Sequence, residues 1–212
     1  MNILFKLTTQ EGKTHNETQW GENVTHEATG DIKQGLCSDA WIHAYTHPLL
    51  AVLMNPVHAD IENPILWEGK GEGEAKFEPL KCGFRKFTTL KKIPLPEVTD
   101  VQKVAFGILC AKEVYKDKDS SWNQWADKWL SGEDRTEASA AAYAAAADAA
   151  AYAANAARAA ANAAAYASNA AYAAAYAARA AANAAANAAY ASASKGKELD
   201  FVSIALKAME GK

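Results

Sequence analysis

Between Ala138 and Ser194 the chain is about two-thirds alanine, with no glycine and no proline, and Tyr, Asn, Arg and Ser fill almost every other position. Alanine loses no side-chain entropy on entering a helix and buries no polar group. A run this long also outgrows the nucleation cost that leaves short isolated helices marginal. The non-alanine residues are ordered. Asp148, Tyr152, Asn155, Arg158, Asn162, Tyr166, Asn169, Tyr172, Tyr176, Arg179, Asn183, Asn187, Tyr190 and Ser194 follow one another at steps of three and four. That spacing puts them on one stripe of a helix. A strict sub-series (Asp148, Asn155, Asn162, Asn169, Tyr176, Asn183, Tyr190) recurs every seventh residue. The heptad chemistry is inverted: a polar and aromatic ridge stands on a background of small apolar side chains.

Two roles fit such a ridge. It is an outward face that keeps an alanine helix soluble while the alanines pack closely on other helices, or it is a recognition seam for a partner. The second role singles out Tyr152, Asn155, Arg158, Asn162, Tyr166, Asn169, Tyr172, Tyr176, Arg179 and Asn183, because Tyr and Arg are enriched at interfaces. A seven-residue repeat drifts by ~20° per heptad on a straight helix, so a partner following the ridge has to wrap. One rod and a hairpin folded near Ser168-Asn169 are both compatible with the pattern.

The remainder predicts an α+β protein. Residues 1–98 read as a small β-containing domain. Strands are expected at Ile3–Leu7, Val24–Ala28, Pro64–Gly69 and Cys82–Leu90, with a Gly/Glu-rich turn over Gly69–Glu74. A short helix over Leu49–Met54 is expected to be capped by Thr46, to carry Pro48 in its first turn and to end at Asn55-Pro56. Pro94 and Pro96 mark a boundary. Residues 99–132 read as a helical connector, with Thr99 capping a helix whose apolar stripe includes Val101, Val104, Ala105, Ile108, Leu109 and Val114. Ser121 opens a second helix bearing Trp122, Trp125 and Trp129, which the spacing assigns to a core that docks the alanine helix. Residues 133–195 form the alanine element, entered through the capping-box spacing of Asp134 and Glu137 and left through Lys195-Gly196-Lys197. Residues 196–212 carry a last amphipathic helix with Leu199, Val202, Ala205, Leu206 and Met209.

The net charge of −3 and the two arginines of the alanine segment supply no basic face, so a nucleic-acid partner is not expected. Lys6, Gln10 and Glu11 interrupt any signal-peptide core, and no apolar run of ~18–20 residues is present to span a bilayer. Cys37, Cys82 and Cys110 are odd in number and widely spaced, which fits a reduced, intracellular chain.

Local chemistry is sparse. His43 and His47 stand four apart, the spacing of metal ligands on a helix. Pro48 places the helix start after them, so packed or hydrogen-bonded histidines and no metal are expected. Glu68, Glu72 and Glu74 lie among glycines and read as a solvated hairpin loop. Gly69-Lys70-Gly71-Glu72-Gly73 lacks the following Lys-Ser/Thr and helix of a phosphate loop. Cys110 falls on a buried helical face and reads as inert. No catalytic constellation and no cofactor are expected.

The block Gly21–His26, the run Trp41-Ile42-His43-Ala44-Tyr45-Thr46-His47-Pro48-Leu49-Leu50-Ala51, Leu95–Thr99, and Trp125–Arg135 followed by alanines resemble small proteins encoded by bacteriophages and prophages. They are also similar to an immunity-protein family with an alanine-rich helical region. The resemblance spans most of the chain. It implies a host-cytoplasm setting and a host or phage protein as partner, and it supplies no catalytic residues. The order of Trp41, His43, Pro48 and Ala51, then Leu66–Gly69, is loosely like the middle of ADP-ribosyltransferase-like folds. That likeness implies a nucleotide or NAD pocket around Trp41, His43, His47 and Trp67, without a matching catalytic glutamate. The expectation is therefore a phage accessory protein that binds without catalysis and inhibits a host protein or defence system. A nucleotide pocket and self-association through the alanine faces are the alternatives.

Overall fold

The computed structural model describes residues 3–114, 121–136, 156, 159–160, 162–164 and 173–210. The chain is α+β and divides into two compact units, Met1–Glu97 and Val98–Lys212.

The first unit holds a five-stranded antiparallel sheet: β1 (Leu4–Thr8), β2 (Thr25–Glu27), β3 (Ile42–Ala44), β4 (Ile65–Glu78) and β5 (Lys81–Ile93), with one helix, α1 (Pro48–His58). A long β4–β5 hairpin is its frame. β1 pairs with Ile65–Gly69 of β4, while β2 and β3 both pair with β5. One residue beyond β3, Tyr45 exchanges both backbone hydrogen bonds with Phe5, at 2.8 and 2.9 Å. The circuit β1–β4–β5–β3 thereby closes on itself, the arrangement that leaves fewest unpaired edges. Leu4, Trp20, Ala44, Cys82, Phe84 and Phe87 form its buried cluster. α1 lies against β1 and buries Leu49, Leu50, Ala51, Leu53 and Met54.

The Gly/Glu-rich segment is a correction to the sequence reading. Gly69–Glu74 is the middle of β4, and the chain reverses only at Pro79-Leu80. The glycines are there because the facing strand carries large rings. A Cβ on Gly69 would stand 2.5 Å from Phe87 Cζ, and one on Gly71 would stand 2.2 Å from Phe84 Cγ. Glycine in a strand marks such a close approach. α1 is corrected twice. His47, not Thr46, caps it, its Nδ1 accepting the Leu49 N–H at 3.3 Å. The helix also runs through Pro56 to His58. Asn55 absorbs the exit, its carbonyl accepting from Ala59 and Asp60 and its side chain bonding both backbone groups of Ile61.

The described secondary structure of the second unit is helical: α2 (Asp100–Val114), α3 (Ser121–Ser131), α4 (Ala173–Ala193) and α5 (Phe201–Met209). Thr99 caps α2, and the cap is reciprocal. Thr99 Oγ1 accepts the Gln102 N–H at 3.2 Å, and Gln102 Oε1 accepts the Thr99 N–H at 2.9 Å, a capping box. Trp122, Trp125 and Trp129 are buried on α3, and a Lys112–Asp127 ion pair ties α3 to α2. The alanine helix α4 packs chiefly on α2 rather than on the tryptophan helix. Asp200 caps α5 by accepting the Ser203 N–H at 3.0 Å. Phe201, Ala205 and Ala208 face inward on α5, whereas Leu206 is half exposed and Leu199 precedes the helix. No described helix is long and apolar enough to cross a membrane.

Candidate functional site

The ridge can be placed where α4 is described. Ala177, Ala181, Ala182, Ala184, Ala185 and Ala188 are buried, while Tyr176 is 50% and Tyr190 64% exposed, with Arg179 and Asn183 also exposed. The alanine stripe is therefore the packed face. Small side chains let the two helix backbones approach to the short end of ~8–10 Å, and a Cβ on Gly107 would stand 3.0 Å from the Cα of Ala181, tighter than an ordinary contact. The residues left outward are the large ones. Asn162 is helical and half-buried. Tyr152, Asn155, Arg158, Tyr166, Asn169 and Tyr172 lie outside the described residues, as do Ser168 and most of the approach to the helix, including Glu137.

The four residues expected to line a ligand pocket have separate duties. Trp41 Nε1 donates to the Gln34 carbonyl at 3.2 Å, His43 Nε2 bonds the Leu36 carbonyl, and His47 caps α1. Burial holds the pKa of His43 below its ordinary value, against the opposing Leu36 bond. Trp67 Nε1 donates to Thr8 Oγ1 at 2.9 Å. Of the four, Trp67 alone borders an open cleft of about 550 Å³, with Trp20, Glu11, Glu22, Lys91 and Lys92. The Lys92 ammonium sits 5.4 Å from the Trp67 ring centre. His43 on a strand and His47 at a helix start do not share a helical face, and no group of three potential metal ligands occurs among the described residues.

Glu68, Glu72 and Glu74 lie on a strand rather than in a loop. Glu68 bonds Lys91 at 3.1 Å and Glu72 bonds Lys70 at 2.8 Å, so these two are matched by cations along the hairpin.

One residue escaped the sequence reading. Lys6 is only 8% exposed, its ammonium donating to the His43 carbonyl at 3.0 Å and lying 4.6 Å from the Trp20 ring centre and 5.9 Å from that of Phe87. Burial lowers its pKa from 10.5 to about 8. The alternation Leu4, Lys6, Thr8 was the available signal, since it puts the lysine on the inward side of β1. In the same sheet, burial pushes the Cys82 thiol up to about 12. His58, stacked 5.9 Å from Tyr45, is lowered to about 4 by burial first and by Lys81 and His43 next. Lys6 and the Cys82 thiol each donate to a backbone carbonyl, of His43 and Ala44 respectively, and His58 is held against Tyr45. Comparison with known protein families, with curated proteins and with solved structures gives no match to this chain.

Proposed function

We propose that the protein acts by non-catalytic binding of a protein partner along the Tyr/Asn/Arg ridge of the alanine helix. The observation that carries the reading is the partition of α4: its alanines are buried, while Tyr176, Arg179, Asn183 and Tyr190 remain exposed. Solubility asks only for polar side chains on that face. Two tyrosines and an arginine, spaced to lie along it, are the residue types that dominate the energetics of interfaces. A host or phage protein is the partner class, as the likeness to phage-encoded proteins implies, and capture of a host defence component is the consequence we assign to it.

The test compares the wild-type chain with a Tyr176→Ala/Arg179→Ala/Tyr190→Ala variant. Each is used as affinity bait in phage-infected lysate, and the captured protein is then titrated in purified form. The expected result is a partner held by the wild type and bound at least about tenfold more weakly by the variant, with the helical circular dichroism of the two unchanged. Equal affinity for both chains removes the ridge from the reading.

A further inference from the structure

We propose that the distal edge of β4 pairs with the same edge of a second copy of this chain, antiparallel and centred on Glu74. β1 covers β4 only over Ile65–Gly69, so from Lys70 to Glu78 the strand has a ladder partner on one side, β5, and none on the other among the described residues. Unpaired strand edges are templates for further strands, and natural proteins usually blunt them with charges. That protection works when like charges meet. Here the order of the charges does the reverse.

The edge reads Lys70-Gly71-Glu72-Gly73-Glu74-Ala75-Lys76-Phe77-Glu78. Laid antiparallel against itself about Glu74, Lys70 meets Glu78 of the second copy and Glu72 meets Lys76. On the other side of the strand Phe77 meets Gly71. The register is specific. Slipping one way sets Lys70 against Lys76 and Glu72 against Glu74; slipping the other way sets Glu72 against Glu78 and keeps one unlike pair, Glu74 with Lys76, in place of the two of the centred register; a parallel in-register pair opposes every charge to its like. Directly opposed unlike charges favour a strand pair and like charges disfavour it. Phe77 adds an apolar contribution: it is 64% exposed, the most exposed aromatic side chain of the sheet, and pairing removes part of that ring from water. The one like-charge contact, Glu74 with its own mate, falls at the bulge between Glu72 and Ala75, where Gly73 has φ 78°. The bulge divides the edge into two arms, Lys70–Glu72 and Ala75–Glu78, and these carry the matched pairs.

Charge complementation tests this on the full chain. Glu72→Lys sets an introduced ammonium against Lys76 of the mate, and Lys76→Glu sets an introduced carboxylate against Glu72 of the mate. Each variant alone is therefore self-repelling, whereas one copy of each restores both unlike pairs. By sedimentation equilibrium at low salt, the wild type is expected to show a reversible dimer that salt weakens. Each single variant should associate about tenfold more weakly or less well still, an equimolar mixture should recover the wild-type association, and Glu74→Gln should tighten it. A wild type that stays monomeric up to about millimolar concentration, a single variant that dimerises as well as the wild type, or a mixture that stays monomeric overturns the proposal.

Discussion

A Cβ placed on Gly107 of α2 would stand 3.0 Å from the Cα of Ala181 in α4 and 3.1 Å from its carbonyl oxygen. The two helices touch there backbone to backbone. A glycine inside a helix costs about 1 kcal/mol relative to alanine, so its place in the middle of α2 is explained by what faces it. Gly107→Val is expected to lower the stability of the chain by about 2 kcal/mol, because neither partner has a flexible side chain that can move aside. In Gly107→Ala the propensity gain offsets part of the clash, leaving a smaller loss. Urea denaturation followed by circular dichroism measures both; an unchanged midpoint for Gly107→Val contradicts the close approach.

The same interface predicts opposite outcomes on the two faces of one turn. Ala185 is fully buried and Asn183 is exposed. Ala185→Leu inserts methylenes into a packed contact and should cost about 1–3 kcal/mol. Asn183→Leu, two residues earlier, should change stability by less than about 0.5 kcal/mol. Thermal unfolding of the pair of variants reads the difference, and equal losses place the alanine face elsewhere.

In the sheet, Gly71→Ala tests whether the β4 glycines make room for rings. Its Cβ would lie 2.2 Å from Phe84 Cγ, so the substitution should cost about 3 kcal/mol although alanine is the better strand residue. Shortening the ring partner gives the decisive arm. Phe84→Leu costs stability by itself, but in its presence Gly71→Ala should cost clearly less, a coupling that a double-mutant cycle measures. Additive losses separate the glycine from the ring.

How far the sequence foretold these features depends on the range of the interaction involved. The α+β class, the cap at Thr99 and the spacing of the alanine ridge are local patterns, and each was legible in the residues themselves. The outward position of Tyr176, Arg179, Asn183 and Tyr190 follows from alanine's small size once a neighbouring helix is present. What failed was read locally but decided at a distance. Gly69 and Gly71 looked like turn residues because glycine usually marks turns, and only the rings of Phe84 and Phe87 on the next strand explain them. The pocket expected around Trp41, His43, His47 and Trp67 stands apart from these, since it rested on a fold likeness rather than on local spacing; in the structure Trp41, His43 and His47 each bond a different backbone group. The tryptophans of α3, read as the dock for the alanine element, are buried, and the described helix α4 packs mainly on α2, where Gly107 permits a close contact.

The buried Lys6 makes the fold sensitive to mild alkali. Its pKa is about 8 in the folded chain against 10.5 when free in water, because burial disfavours the ammonium. Between those values the unfolded chain holds a proton that the folded chain has released, so stability rises with pH there. Three other buried groups oppose it. The Cys82 thiol is pushed from 9.0 to about 12, and Cys110 is raised as well. Above pH 9 these thiols ionise only in the unfolded chain, and stability falls with pH; Tyr45, also raised by burial from 10.0, adds to the fall above pH 10. The net rise is thus confined to the interval below about pH 9 and amounts to no more than about 0.5 kcal/mol, because the thiols already begin to oppose it there. Lys6→Met should remove that rise and leave the decline above pH 9 in place. Denaturant midpoints on either side of pH 8 and pH 9 decide it: a wild type whose midpoint is flat across the interval, or a variant that keeps the rise, shows that the charge state of Lys6 does not govern it.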